Sequence, residues 1–224
     1  MGECSEYHNK KQGFAILSKC LHRYSTECFN IHMPKTRIEN FTDAVLAIVM
    51  TILVLNLQIP NIHSGASITE YSITLLPIVP KLISFIVSFL MVAVYWVNHH
   101  SFFQYIAKGT VGLIWVNTLL LLSLCLLPFP TALLGSHPTD QFPIILYAAN
   151  LLICGLAFFA LRDYAGRHHL LKADCNQKVL LSPKQSLPGI ILSIVSIIFC
   201  FVNVYLSLLC FIIFPIIYLF PKVD

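Results

Sequence analysis

Long stretches without a charged residue constrain this sequence more than any other feature. The longest contains no Asp, Glu, Lys or Arg from Pro188 to Phe220, and four shorter ones precede it. A helix that crosses a bilayer needs about 20 consecutive apolar residues. The chain is 57% hydrophobic and only 11% charged, whereas soluble domains carry about 25% charged residues. The sequence therefore predicts an all-α integral membrane protein.

Turn-forming and charged segments divide the apolar part of the chain into six predicted spans. Their approximate bounds are 41–59, 82–100, 111–134, 143–161, 188–202 and 204–220. The last two are separated near Asn203, because one helix from Pro188 to Phe220 would be roughly 50 Å long and the hydrocarbon core is ~30 Å thick. Pro128 and Pro130 should kink the far end of the third span, and the polar residues 61–80 are expected to form a loop.

The distribution of basic residues orients these spans. With both termini in the cytoplasm, every lysine and arginine except Lys81 lies on the inner side, which is the arrangement that the positive-inside rule favours. Residues 1–36 then form a basic cytoplasmic leader, either a short amphipathic helix on the membrane surface or an unstructured tail. Residues 37–224 form the six-span domain.

The first span begins with a cluster of charges and then runs uncharged. Arg37, Glu39 and Asp43 lie at its cytoplasmic edge, where charges near a span usually face protein or water. Deeper in the span, helical spacing puts one hydroxyl among aliphatic residues on a single face, formed by Ala44, Ile48, Thr51 and Leu55, with Ile52 adjacent. This face is either an ordinary packing surface or the wall of a narrow pore.

The second span ends in a group of nitrogen-bearing rings. If the topology holds, Trp96, His99 and His100 lie on the same side of the membrane as Asp43. Indole and imidazole N–H groups at that depth need acceptors, and the Asp43 carboxylate is a candidate. The alternative is an interfacial aromatic belt with solvated histidines.

Several other classes of function find no support in the sequence. The eight cysteines form no Cys-x-x-Cys pair, there is no basic cluster for nucleic acid, and neither a nucleophile elbow nor a zinc-protease motif occurs. We therefore expect neither an enzyme nor a cofactor. The Thr110-Val-Gly-Leu segment contains half of a potassium-channel filter sequence, but without a preceding pore helix it is interpreted as the start of a span.

The charged start of the first span resembles a known signature. Arg37-x-x-x-Phe-Thr42-Asp43 is similar to the Arg-x-x-x-Phe-Ser-Asp motif of the transmembrane protein 175 family, which comprises potassium-permeable channels of prokaryotes and of endosomes and lysosomes. Further matches follow in Trp96-x-x-His99-His100, Trp115-Val-Asn117 and Pro128-Phe-Pro-Thr131. Thr42 keeps the hydroxyl of the usual serine, and Ala44 replaces a glycine that is frequent in prokaryotic members.

The resemblance implies a fold and a mechanism. Each subunit would have six transmembrane helices, with the first lining the central pore of a homotetramer and no re-entrant filter loop, in the plasma membrane of a prokaryote. The pore constriction would be formed by Ile48, Ile52 and Leu55, and K⁺ would bind near Thr51, giving modest selectivity over Na⁺. A polar network would tie the first helix to its neighbours and include Arg37, Thr42, Asp43, Trp96, His99 and His100.

Two other functions remain open from the residues alone. A proton-linked transporter or a proton-conducting pathway would use Asp43 and His99 as its titratable groups. A membrane scaffold would transport nothing. Steep pH dependence with saturable uptake would favour the transporter over the channel, and absence of any flux would favour the scaffold.

Overall fold

The described part of the chain is built from helices. The computed structural model describes residues 34–58, 60–173 and 186–219, of which 217–219 are described by backbone only. The helices are α1 (Lys35–Val54), α2 (Ile68–Leu75), α3 (Val79–Phe103), α4 (Val111–Cys125), α5 (Pro128–Ser136), α6 (Gln141–Arg167), α7 (Leu187–Cys200) and α8 (Val204–Leu219). A 3₁₀ turn, Leu76–Ile78, joins α2 to α3, and one antiparallel bridge pairs Ile106 with Leu171. The predicted all-α class is confirmed.

Length and composition identify membrane-spanning candidates within the described residues. Three helical stretches are long and apolar enough to cross a bilayer, and two shorter apolar helices follow them: Ile68–Phe103, Val111–Ser136, Gln141–Arg167, then Leu187–Val202 and Val204–Ile216. Helix α1 has 20 residues, which makes it about 30 Å long, but its first turns carry Lys35, Arg37 and Glu39. The total of six spans stays a prediction, as do the cytoplasmic termini; the leader up to residue 33 lies outside the described residues.

Helix α1 is displaced along the chain relative to the predicted span. It starts at Lys35 and ends at Val54, whereas the span was expected to run from 41 to 59. The backbone N–H groups of Leu55 and Leu57 bind the carbonyls three residues before them, both at 3.0 Å. This tightening marks the helix end, and Pro60, which has no N–H to donate, follows shortly.

The prediction of a loop at residues 61–80 is wrong, because this segment is largely helical. A capping box starts α2: the Glu70 backbone N–H donates to Ser67 Oγ at 3.3 Å, and the Ser67 N–H donates to Glu70 Oε2 at 2.8 Å. Pro77 and Pro80 fall in the first turns of the segments that follow, where their missing N–H groups cost little. The loop was predicted from the polar composition of this segment, although the capping-box pattern Ser67-x-x-Glu70 indicates the start of a helix.

Two helix breaks lie near predicted positions, one marked by prolines and the other expected near Asn203 from the length of the apolar stretch. Helix α4 ends at Cys125 and α5 starts at Pro128, since Pro128 and Pro130 cannot donate to the preceding turn. Phe201–Asn203 forms a turn between α7 and α8, and Asn203 Oδ1 accepts from the Tyr205 backbone N–H at 2.9 Å. The break near Asn203 divides the last apolar stretch into two shorter helices, whereas the α4–α5 break lies within one candidate span, Val111–Ser136.

Helix α6 packs against α4, α5 and α7, while α7 pairs with α8. Helix α1 lies on α3 and α4 and touches α5. Helices α4 and α6 approach closely at Gly112, where a Cβ atom would overlap the Tyr164 hydroxyl group unless the tyrosine side chain shifted. Because α1 packs against α3, α4 and α5, one of its faces lies against the bundle and the other is directed away from it.

Candidate pore helix and its polar anchor

Helix α1 has a buried face that follows the helical repeat. Its buried residues are spaced three or four apart and turn toward α3 and α4; they are Ile38, Thr42, Leu46, Val49 and Leu53. Four of the five are aliphatic, and Leu53 and Leu46 are among the most deeply buried leucines of the described chain. This face fixes how α1 is rotated about its axis.

The opposite face of α1 carries the residues predicted to form the pore. The Ile48 side chain is 56% exposed, Ile52 42% and Leu55 71%, and Thr51 is exposed between them. Thr51 Oγ1 donates its hydrogen to the Ile48 backbone carbonyl at 2.8 Å. The hydroxyl oxygen therefore keeps lone pairs available to accept from, or coordinate, a group outside the helix.

A buried chain of hydrogen bonds joins α1 to α3 through α4. The Asn117 amide nitrogen donates to Thr42 Oγ1 at 2.9 Å, and the Asn117 amide oxygen lies 2.9 Å from His99 Nε2. With the amide oriented this way, His99 Nε2 must be the donor, because a carbonyl oxygen only accepts. All three side chains are buried, and the His99 ring stacks on Phe103 with centroids 4.1 Å apart.

A second, exposed contact lies beside these buried hydrogen bonds. Trp96 Nε1 donates to Asp43 Oδ1 at 2.9 Å, and the Trp96 indole stacks on His100 with centroids 6.0 Å apart. Lys35, at the start of α1, forms an ion pair with Glu39 at 3.9 Å and donates to a backbone carbonyl at the end of α3, Phe103 O, at 3.2 Å. The first turns of α1 are thus held to α3 by polar contacts.

Five of the six predicted network residues lie in these contacts. Thr42, Asp43, Trp96, His99 and His100 are brought together as just described. Arg37 is exposed, and within the described residues its guanidinium makes no hydrogen bond or ion pair. Asp43 and His99 also belong to different contacts, since Asp43 binds Trp96 whereas His99 binds Asn117.

Asn117 bridges Thr42 and His99, but it was not predicted as a site residue. It lies in α4, 75 residues from Thr42, and its neighbours along the helix are mostly aliphatic. A side-chain amide placed in such a stretch needs hydrogen-bond partners, because burying it unpaired costs free energy. That composition and the Trp115-Val-Asn117 match to the family were the available signals, although neither says which helix supplies the partner.

The Thr110-Val-Gly-Leu segment has a structural role at the start of α4. Thr110 is the N-cap of α4, and its hydroxyl accepts from the Leu113 backbone N–H at 3.2 Å. Within the described residues, no group of three His, Cys, Asp or Glu side chains is arranged to hold a metal ion. The candidate functional site therefore consists of the exposed face of α1 and its polar anchor, the hydrogen bonds of Thr42 and Asp43 to α4 and α3.

Comparison with known proteins shows which family the chain resembles. Residues 37–128 match the family model described as endosomal/lysosomal potassium channel TMEM175. A potassium channel of Chamaesiphon minutus is 34% identical over 183 residues, covering 79% of this chain and 89% of that protein. A potassium channel of a Chryseobacterium species is 37% identical over 131 residues, covering 58% of this chain and, at 65%, just under two thirds of its own length.

A solved structure and a more distant relative extend this result. The crystal structure of a lysosomal potassium-selective channel TMEM175 homolog from Chamaesiphon minutus has a TM-score of 0.70 and 31% identity, covering 82% of this chain and 95% of that one. The human relative, 29% identical over 140 residues that make up 28% of its length, is named an endosomal/lysosomal proton channel. The resemblance seen in the sequence is confirmed: this chain is an all-helical membrane protein that belongs to the TMEM175 channel family.

Proposed function

We propose that this chain is the subunit of a potassium-permeable cation channel whose pore is lined by α1. The observation that carries the proposal is the exposed face of α1, with Ile48, Thr51, Ile52 and Leu55 directed away from the subunit that buries the other side of the helix. The bacterial relatives are named potassium channels. One chain supplies one such helix, so a closed pathway needs several copies around an axis, and we propose a homotetramer.

The aliphatic residues of this face act as the gate in the proposal. A narrow ring of Ile48, Ile52 and Leu55 side chains excludes water, and a pore without water has a high barrier for an ion. Widening the ring or making it polar lets water in and lowers that barrier. The gate is therefore controlled by how far the four α1 helices stand from the pore axis.

Thr51 provides the proposed K⁺ preference. Its hydroxyl hydrogen is donated to the Ile48 carbonyl, so the oxygen presents lone pairs that replace part of the water shell of an ion. Without a cage of backbone carbonyls, discrimination depends on partial dehydration at this level. The preference for K⁺ over Na⁺ is expected to be modest, and other monovalent cations should also pass.

The polar contacts at the start of α1 hold the pore helix in register. The buried bonds from Thr42 through Asn117 to His99 fix its rotation, while Asp43 and Trp96 fix its tilt against α3. The channel is proposed to lie in the plasma membrane of a prokaryotic cell with both termini in the cytoplasm, because the positive-inside rule favours that orientation.

Flux into liposomes tests the channel proposal directly. Purified protein in liposomes should conduct K⁺ more readily than Na⁺, and Ile48→Asn should raise the flux because it wets the gate. The matched control is Ile153→Asn, since Ile153 lies mid-helix in α6 with a similar exposure of 51% but outside the proposed pore. Absence of K⁺ flux from folded wild-type protein would contradict the channel, and equal effects of both variants would contradict the gate.

A proton pathway is the second candidate, and the name of the human relative favours it. It would use Asp43, which is exposed at the start of α1. The buried His99 would take part through Nδ1, because its Nε2–H is donated to the Asn117 amide oxygen. Proton uptake by liposomes in K⁺-free medium, abolished by Asp43→Asn, would favour this candidate over a potassium channel.

A further inference from the structure

We infer that Asn56 is a positioning residue that holds the outer end of α1 against the break between α4 and α5, and thereby sets the width of the gate at Leu55. The inference rests on the proposed role of α1 as pore helix. The Asn56 side-chain amide donates to the Pro128 backbone carbonyl at 3.2 Å, across 72 residues of chain. The contact is partly buried and lies just past the end of the helix.

This contact matters because α1 makes few hydrogen bonds to other helices at that end. Beyond Val54 the backbone makes local hydrogen bonds only three residues back along the chain. The Leu55 N–H donates to the Ile52 carbonyl and the Leu57 N–H to the Val54 carbonyl, each at 3.0 Å. Among the described residues from Met50 to Gln58, the Asn56 amide makes the one hydrogen bond to another helix. The cytoplasmic end is different, since Lys35, Thr42 and Asp43 each bind a neighbouring helix there.

The group to which Asn56 is tied is itself firmly fixed. On the far side of the α4–α5 break, Thr131 Oγ1 donates to the Leu127 carbonyl at 2.8 Å. Its oxygen lies 2.8 Å from Ser88 Oγ, which in turn lies 3.0 Å from the Tyr147 hydroxyl. All three hydroxyl groups are buried, so α3, α5 and α6 meet in one cluster. The break therefore serves as a rigid support for the Asn56 amide.

The position of Leu55 follows from that support. Leu55 immediately precedes Asn56 and is the most exposed of the three predicted gate residues. If the hydrogen bond from the Asn56 amide is removed, no hydrogen bond among the described residues joins the last turn of α1 to another helix. Apolar packing, including that of the buried Leu53, then holds this turn, and Leu55 is free to sample wider positions. The net free energy of one hydrogen bond changes the equilibrium constant between two arrangements about two- to tenfold. We therefore expect a flux increase of about that size.

The test uses full-length protein in liposomes and variants of matched shape. Asn56→Leu keeps the branched shape of the side chain but removes the donor, and it should raise K⁺ flux about two- to tenfold and lower the K⁺/Na⁺ permeability ratio. Asn56→Gln keeps an amide donor and should restore both values toward wild type. The control is Gln141→Met, because the Gln141 amide also donates to a backbone carbonyl, Cys200 O, at 3.3 Å in a partly buried site, far along the chain from α1.

The outcomes separate this inference from the proposed function. If wild-type protein conducts K⁺ but Asn56→Leu leaves flux and permeability ratio unchanged, Asn56 has no positioning role. The inference is also overturned if Gln141→Met has the same effect, since that indicates general loosening of the bundle. If Asn56→Leu does not fold, Asn56→Ser in the same assay decides the matter by the same criteria. A wild-type protein without K⁺ flux would overturn the channel proposal instead.

Discussion

The two faces of α1 are built from nearly the same residue types, yet they are placed in opposite environments. Each combines aliphatic side chains with one threonine. On the buried face, Thr42 accepts a hydrogen bond from another helix, through Asn117. On the exposed face, Thr51 gives its hydrogen to its own helix, at the Ile48 carbonyl. Residue type therefore does not separate the packing surface from the proposed pore wall.

What separates the faces is where the threonine finds its partner. A bond to another helix fixes the helix in place, and losing it leaves a buried group without a partner. A bond within the helix satisfies the hydroxyl without any neighbour and leaves its oxygen available on the outer surface. The first arrangement suits an anchor, and the second suits a surface that meets ions or other subunits.

The largest contrast is expected for aliphatic residues on the two faces. Leu53→Ala should lower the free energy of unfolding by about 2–5 kcal/mol, because Leu53 is fully buried and its truncation leaves a cavity. Ile52→Ala, next to it but on the exposed face, should cost well under half of that. Denaturant unfolding of the purified protein, followed by circular dichroism, measures both values. Similar losses would mean that both faces are buried in the assembled protein.

The sequence predicted one face of α1 and only part of the contacts that hold the helix. Helical spacing alone put Ile48, Thr51 and Leu55 on one side, and prolines marked the break between α4 and α5. Spacing could not reveal that Thr42 meets Asn117, because partners 75 residues apart are brought together by tertiary packing. The same holds for Asn56 and Pro128, and Arg37 shows the converse, since its charge predicted a partner that the described subunit does not supply.

The next contrast compares the two threonines by the same substitution. Thr42→Val keeps the shape but leaves the Asn117 amide without its acceptor, so the free energy of unfolding should fall by about 1–3 kcal/mol. Thr51→Val removes a hydroxyl that is exposed, so the change should stay within about 0.5 kcal/mol. Thermal unfolding of the two variants in the same detergent tests this. Equal losses would remove the distinction between the anchored and the exposed threonine.

Function should reverse the order of the two threonines. Thr51→Val should lower the K⁺/Na⁺ permeability ratio by a factor of about 2–10, because it removes the oxygen that replaces part of the water shell of the ion. Thr42→Val, measured on the folded fraction, should leave the ratio near its wild-type value. Bi-ionic reversal potentials in planar bilayers give both ratios. A ratio that is unchanged in Thr51→Val would exclude this hydroxyl as the source of selectivity.

The smallest effect on the subunit itself is expected at its exposed polar contact. Asp43→Asn retains an oxygen that can accept from Trp96 Nε1, now 2.9 Å from the carboxylate, so subunit stability should change by about 0.5 kcal/mol or less, as is common for exposed charges. Assembly of the proposed tetramer should suffer more, because a charge that is exposed in one subunit is available to a neighbour. Asp163→Asn is the control, since Asp163 pairs at 2.8 Å with Arg167 in its own helix. Native mass spectrometry should show fewer tetramers for Asp43→Asn than for Asp163→Asn, and equal fractions would confine Asp43 to contacts within one subunit.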